Sequence, residues 1–192
     1  MALGVLSAAG PGPAPLWLTL DVVNPETVGR HRLLHLEDVV GPDRRSDIPG
    51  LPAASAVVLF SARPEACAPP AGPEAATAGL CAQVAAKLGD LTRRGVLVVG
   101  VLLATREEAA AGISGVRRAA LPFPVTFDVH GLARQALGLE GPGEFVIISA
   151  DGLNIPVAGA SKAGDPVQAA RHLEQVRTTL LATLGRDEEN QP

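Results

Sequence analysis

Residues 56–104, AVVLFSARPEACAPPAGPEAATAGLCAQVAAKLGDLTRRGVLVVGVLLA, decide the fold. The first five, 56–60, are an unbroken apolar run, which suits a strand covered on both faces. A proline-rich loop over 62–73 follows and carries Cys67. Residues 74–94 read as a helix, because Leu80, Val84, Leu88 and Leu91 recur at spacings of four, four and three. Gly95 ends it, where a helix C-terminus favours a left-handed residue. Residues 96–104 are a second buried strand. A strand–helix–strand unit predicts a parallel pair, and the closing hairpin adds antiparallel strands.

On the C-terminal side, Thr105 caps a helix with Glu107 and Glu108 in its first turn, where the dipole favours acid. Residues 121–127 are a short extended piece interrupted by Pro122 and Pro124, and 128–137 a short helix. Residues 145–149 and 154–158 flank Asp151-Gly152, a hairpin signal. Asp165-Pro166 opens the last helix with an N-cap and a proline at the first position. Its apolar stripe reads Val167, Ala170, Leu173, Val176, Leu180 and Leu184.

On the N-terminal side, residues 16–23 alternate as a strand. Asn24-Pro25 marks a turn, and 31–36 give a second short strand. The expected organisation is a flexible arm over 1–14, one domain over 15–186 and a polar tail over 187–192. The architecture is α/β, with one mixed sheet, helices on both faces and an N-terminal β-hairpin extension.

Composition narrows the function classes. The 192 residues are 47% hydrophobic and 19% charged, so the chain folds rather than remaining disordered. Aromatics are 3% and tyrosine is absent, so Leu, Val, Ile and Ala must build the core. A net charge of −4 argues against a nucleic-acid surface. No apolar run reaches the roughly 18–20 residues of a membrane span. The start lacks a positive n-region, so a cytoplasmic setting is expected, with both cysteines reduced at rest. Gly-x-Gly-x-x-Gly, Gly-Lys-Ser/Thr and Gly-x-Ser-x-Gly are all missing, which removes the usual nucleotide and serine-hydrolase readings. His31, His35, His130 and His172 are scattered without a carboxylate cluster, so no metal site and no cofactor are expected.

One ordered series carries a family resemblance. In residues 123–152, FPVTFDVHGLARQALGLEGPGEFVIISADG, the pairs and single residues Phe123-Pro124, Asp128, Leu132-Ala133, Gly138-Leu139, Phe145 and Asp151-Gly152 follow in order. This series, with the element order over about 55–184, resembles the thioredoxin-like fold. The branch is the one holding peroxiredoxins (the AhpC/TSA group) and TlpA-like thiol–disulfide oxidoreductases. The resemblance implies a three-layer sandwich and a reactive cysteine in the loop after the 56–60 strand. There helix dipole and peptide N–H groups stabilise a thiolate. Cys67 occupies that loop.

The motif departs from both family patterns. A thioredoxin needs Cys-x-x-Cys, and here Cys67 is followed by Ala68, Pro69 and Pro70. A peroxiredoxin has Pro-x-x-x-Thr/Ser-x-x-Cys, and here Phe60 and Pro64 occupy the proline and hydroxyl positions. Three residues before the Phe of the next strand, peroxiredoxins usually carry an arginine, whereas oxidoreductases carry a cis-proline. That position is Pro142, which leans toward the oxidoreductase branch.

Each candidate has a plainer reading beside it. Cys67 is a redox nucleophile or an ordinary loop thiol. Cys81, fourteen residues on, resolves an oxidised Cys67 or simply belongs to the apolar stripe beside Val84 and Leu88; the stripe is preferred. Pairing the two requires Cα atoms within about 7 Å, hence local unwinding or a loop folded back over the helix. Ser61 donates a hydrogen bond to the site or ends a strand. Arg63 stabilises a thiolate or faces solvent, and Pro142 shapes a substrate groove or is a plain loop proline. The Arg117-Arg118 pair reads as a solvated helix end. The expected function is a thiol-dependent peroxidase or thiol–disulfide oxidoreductase acting on a peroxide or a protein disulfide. It would use an external thiol reductant, as a homodimer. The alternative is a redox-inactive binding or scaffolding module on the same fold.

Overall fold

The computed structural model describes residues 12–45, 47–50, 53–68, 79–159 and 166–189. In chain order the elements are β1 (Gly12–Pro13), β2 (Thr19–Asp21), β3 (Leu33–His35), α1 (Leu36–Val39), β4 (Ala56–Ala62), α2 (Leu80–Leu88), β5 (Val96–Leu102), α3 (Arg106–Arg118), β6 (Val125–Phe127), α4 (Leu132–Leu137), β7 (Phe145–Ser149), β8 (Leu153–Val157) and α5 (Pro166–Glu189). Short 3-10 turns cover Pro25–Val28, Pro64–Cys67 and Gly89–Arg94.

Six strands form one mixed sheet in the order β1-β8-β7-β4-β5-β6. β4, β5 and β6 run parallel, and β7 pairs antiparallel to β4 with Phe145 opposite Phe60. Every residue of β4 and β5 is buried, as their unbroken apolar runs require. Side chains alternate between two cores. Val58, Phe60 and Ala62 meet α2 and α5 through Val84, Leu88, Leu173, Val176 and Leu180. Val57 and Leu59 meet the N-terminal hairpin, α1 and α4 through Leu20, Leu34, Leu36, Ala133 and Leu137. The three-layer α/β sandwich is therefore present. Three of the four phenylalanines share the first core, where the Phe60 ring packs against Phe123 and Phe145 with centroids 5.6 Å apart in each pair.

The expected N-terminal strand pair is present, and a single antiparallel bridge between Val22 and Thr126 links it to β6. β2 and β3 form their own two-stranded sheet and lie over the second core. Asn24 explains the docking: its side chain donates to the Phe123 carbonyl at 2.8 Å and accepts the Val125 amide at 2.7 Å, satisfying an edge that a further strand would otherwise pair. Gly12 and Pro13, expected in the arm, pair with Asn154 and Leu153 as the sheet's edge strand, a place that tolerates proline.

The helix expected over 74–94 is described from Leu80 and tightens into a 3-10 turn at Gly89; residues 74–78 lie outside the described residues. Gly95 has the expected left-handed backbone, φ 78°. The cap at Thr105 forms a full capping box with Glu108. On α5 the stripe holds from Leu173 to Leu184, but Val167 is 60% exposed and Ala169, not Ala170, turns inward. Six residues before Leu173 is roughly 120° off that face, whereas four residues before nearly returns to it. The helix continues to Glu189, into the stretch expected as tail. Arg177 ties α5 to the end of α2, donating to both Asp90 carboxylate oxygens at 2.7 and 2.8 Å and to the Lys87 carbonyl at 2.8 Å.

Candidate active site

The site begins where β4 ends. Arg63 leaves the strand with extended backbone, and Pro64 starts the 3-10 turn that closes at Cys67. A proline at the first helical position is preorganised for this, with its fixed φ and its missing N–H. Two glycines let neighbouring helices come close to the turn. A Cβ on Gly112 of α3 would lie 3.2 Å from the Pro64 Cβ. A Cβ on Gly79, just before α2, would collide with the Ala66 carbonyl oxygen. The turn is thus folded back over the start of α2.

That closeness brings the cysteines together. Cys67 and Cys81 form a disulfide, with Cα atoms 4.9 Å apart. Cys81 is in the first turn of α2 and fully buried, and Cys67 is 2% exposed. Two expectations need correction here. The cysteines are bonded rather than reduced. Cys81 is also both things it was weighed as, since it packs in the same core as Val84 and Leu88 while bridging to Cys67. The turn over Pro64–Cys67, folded back over the start of α2, supplies the short Cα separation.

Ser61 does not merely end a strand. It is buried inside β4, and its hydroxyl donates to the Gly141 carbonyl and accepts the Glu144 amide at 3.1 Å. Its backbone N–H donates to the Glu144 carbonyl at 2.9 Å, and its carbonyl accepts the Gly143 amide at 2.7 Å. The turn containing Pro142 is therefore anchored to the strand that leads to Cys67. The Glu144 carboxylate reinforces that turn by accepting the Glu140 and Gly141 amides. The Gly141–Pro142 peptide is trans.

Arg63 and Pro142 line one cavity of about 400 Å³ at the carboxyl ends of β4 and β5. Thr105, Glu108, Asp128, His130, Arg134 and Glu140 also border it. The Glu108 carboxyl is held below its usual range, chiefly by the Thr105 N–H, then by the Thr105 side chain, with Arg63 a smaller contributor. Asp128 accepts the Ala133 and Arg134 amides at the start of α4. Ser61, Arg63 and Pro142 thus come together at one end of the sheet. The sulfurs lie in the core beside the turn, and neither cysteine borders the cavity.

Gly79, Gly112, Glu144 and Arg134 escaped the sequence reading. A buried serine at the end of an apolar strand was the available signal for the anchored turn, since such a hydroxyl must find partners. Arg117, read as solvated, donates to the Val23 carbonyl at 3.0 Å. His31 and His35 make separate contacts, with the Pro49 carbonyl and the Thr19 hydroxyl. Among the described residues, no three His, Cys, Asp or Glu gather as a metal site. Among them, too, no helix is long and apolar enough to cross a membrane.

No protein-family model matches the sequence, and no curated protein matches it. Solved structures do match in three dimensions. A putative thiol:disulfide interchange protein DsbE from Chlorobium tepidum is 18% identical with a TM-score of 0.59, over 93% of this chain and 99% of that one. Thioredoxin peroxidase I from Plasmodium yoelii is 12% identical with a TM-score of 0.57, over 96% and 95%. Peroxiredoxin Q from Xanthomonas campestris is 13% identical with a TM-score of 0.54, over 88% and 93%. The chain has the thioredoxin-like fold that these proteins share.

Proposed function

We propose that this protein is a thiol–disulfide redox protein in which Cys67 is the attacking thiol and Cys81 resolves it. The observation that carries this reading is the bridge from the turn after β4 to the first turn of α2. Toward a disulfide, the Cys67 thiolate attacks one sulfur of the substrate, forming a mixed disulfide and releasing one thiolate. Cys81 thiolate then attacks the Cys67 sulfur and expels the second. Toward a peroxide, Cys67 thiolate takes the distal oxygen as sulfenic acid and releases an alcohol or water. Cys81 condenses with it and releases water. Pro142 stands where peroxiredoxins usually carry arginine, which weighs against the peroxide; its peptide is trans, so the cis-proline of the oxidoreductases is not matched either. Ser61, Arg63 and Pro142 belong to the substrate-binding side of this reading.

An external thiol would return the pair to the dithiol. A cytoplasmic setting suits a bridge that is transient within each cycle. The working assembly is a homodimer, which sedimentation of the full chain tests directly.

The second reading is a binding module stapled by a static disulfide, and the burial of both sulfurs favours it. Differential alkylation with intact mass separates the two. The reduced wild type, exposed to graded hydrogen peroxide or a small disulfide, should lose two hydrogens as the bridge re-forms. Cys81→Ser should trap an added oxygen or a mixed disulfide at Cys67, and Cys67→Ser should trap neither. Thiols that alkylate slowly near neutral pH and ignore both oxidants would leave the staple reading standing.

A further inference from the structure

The bridge is shut away from solvent. Cys81 is fully buried and Cys67 is 2% exposed. A thiolate must approach along the S–S axis, behind the sulfur that it attacks. The closed fold leaves no such path. The turn that carries Cys67 meets its neighbours through packing and through the bridge. Its hydrogen bonds are internal, from the Ala66 amide to the Arg63 carbonyl at 3.0 Å and from the Ala68 amide to the Glu65 carbonyl at 3.3 Å. Among the described residues, none reaches α2 or α3. On α3 the turn sits over two glycines. A Cβ on Gly112 would stand 3.2 Å from the Pro64 Cβ, and one on Gly115 would stand 3.7 Å from the Ala68 Cβ. Arg63 and Ala68, on either side of the turn, are both extended, with φ −83° and −78° and ψ 152° in each. The partner helix α2 is fixed at its far end, where Arg177 donates to the Lys87 carbonyl and to Asp90.

We infer that the turn over Pro64–Cys67 is a gate on the bridge: it lifts off α3 as a unit, pivoting at Arg63 and Ala68, and only the lifted state is reduced. The turn keeps its internal hydrogen bonds as it moves, so opening gives up packing at Pro64 and Ala68 and little else. Lifting off α3 clears the approach behind the Cys67 sulfur, while the bridge still ties the turn to α2. A dithiol then attacks Cys67 through one thiolate, forms a mixed disulfide and releases the Cys81 thiolate. Its second thiolate displaces the Cys67 thiolate, and the reagent leaves as a cyclic disulfide. The gate acts whether the bridge turns over or is static, so it does not rest on the redox reading above. Its consequence is kinetic: the closed bridge outlasts an exposed one in the same reductant.

The test adds dithiothreitol to the oxidised full-length chain and counts new thiols in time by quenched alkylation and intact mass. In buffer the wild type should be reduced at least roughly a hundredfold more slowly than the urea-unfolded chain. The reagent's own urea dependence is read on hydroxyethyl disulfide. Urea below the unfolding transition should accelerate reduction only weakly, because lifting the turn exposes little surface. Gly112→Ala crowds the seat against Pro64 and should be reduced roughly tenfold faster than the wild type. Gly115→Ala gains the same helix propensity in the same helix but makes only ordinary contact with Ala68, so it should match the wild type. The urea series needs no variant, so it reads the gate even if Gly112→Ala folds poorly. A folded chain reduced as fast as the unfolded one overturns the inference. So does a urea dependence as steep as that of global unfolding, or a folded Gly112→Ala no faster than Gly115→Ala.

Discussion

The Ser61 hydroxyl holds both ends of the Gly141–Glu144 turn, donating to the Gly141 carbonyl and accepting the Glu144 amide at 3.1 Å. A side chain buried in the middle strand of the sheet thereby sets the height of Pro142 above the cavity. Ser61→Ala leaves the half-buried Glu144 amide and Gly141 carbonyl without their partner. The expected loss is about 1–3 kcal/mol of stability in urea unfolding. Hydrogen exchange at the Glu144 amide should accelerate, while Ile147 within β7 should not change. Equal acceleration at both would show that the hydroxyl supports the sheet generally rather than this turn.

Gly79 is the tightest point in the approach of the Cys67 turn to α2. Gly79→Ala places a methyl group against the Ala66 carbonyl, so the turn and the helix start must separate. The dithiol should be favoured by roughly tenfold in the exchange equilibrium with glutathione, about 1.4 kcal/mol. Gly89→Ala is the control, since a Cβ there meets nothing within 4 Å and the backbone is already helical. Thiol counting in graded glutathione buffers gives both midpoints. Identical midpoints for wild type and Gly79→Ala would remove Gly79 from any part in bridge geometry.

The bridge closes a loop spanning 14 residues. Its loss from the oxidised protein should cost roughly 3 kcal/mol through the freed unfolded chain. Under reducing conditions most of that difference should vanish, leaving about 1 kcal/mol in each of Cys67→Ala and Cys81→Ala, because both sulfurs fill the core that holds Val84 and Leu88. Urea midpoints with and without reductant measure both. A reduced variant as stable as the reduced wild type would mean that its site has collapsed around the smaller side chain.

The layered fold was legible because its signals are local. The apolar runs of β4 and β5, the Thr105 cap and the Asp151-Gly152 turn each report on a few neighbouring residues. The disulfide was less legible, because it depends on a turn folding back onto a helix start. What permits that contact is the missing Cβ at Gly79, which carries no such message in one dimension. β1 escaped because two residues have no period. The phase error on α5 came from trusting Val167, an apolar residue that the helical rotation turns outward.

His172 offers the last test, on the far side of the same turn. Its ring is buried in α5 and packs edge-on against Phe145, with centroids 5.3 Å apart. Burial pushes its pKa below the ordinary 6.5, and the Glu144 charge opposes this less strongly. The unfolded chain therefore binds the proton more readily than the folded one. The stability contributed by neutral His172 is fully present above about pH 6.5 and declines as pH falls below that value toward the folded pKa. His172→Gln should abolish this part of the acid-side loss, so the gap between stability at pH 8 and at pH 5 narrows. Urea unfolding of both proteins at the two pH values reads the difference. Because Phe145 follows Glu144 directly, the Glu144 amide of the wild type, with its rate corrected for intrinsic exchange, should also be less protected at pH 5 than at pH 8. An unchanged pH gap in His172→Gln would mean that other groups govern the acid limb.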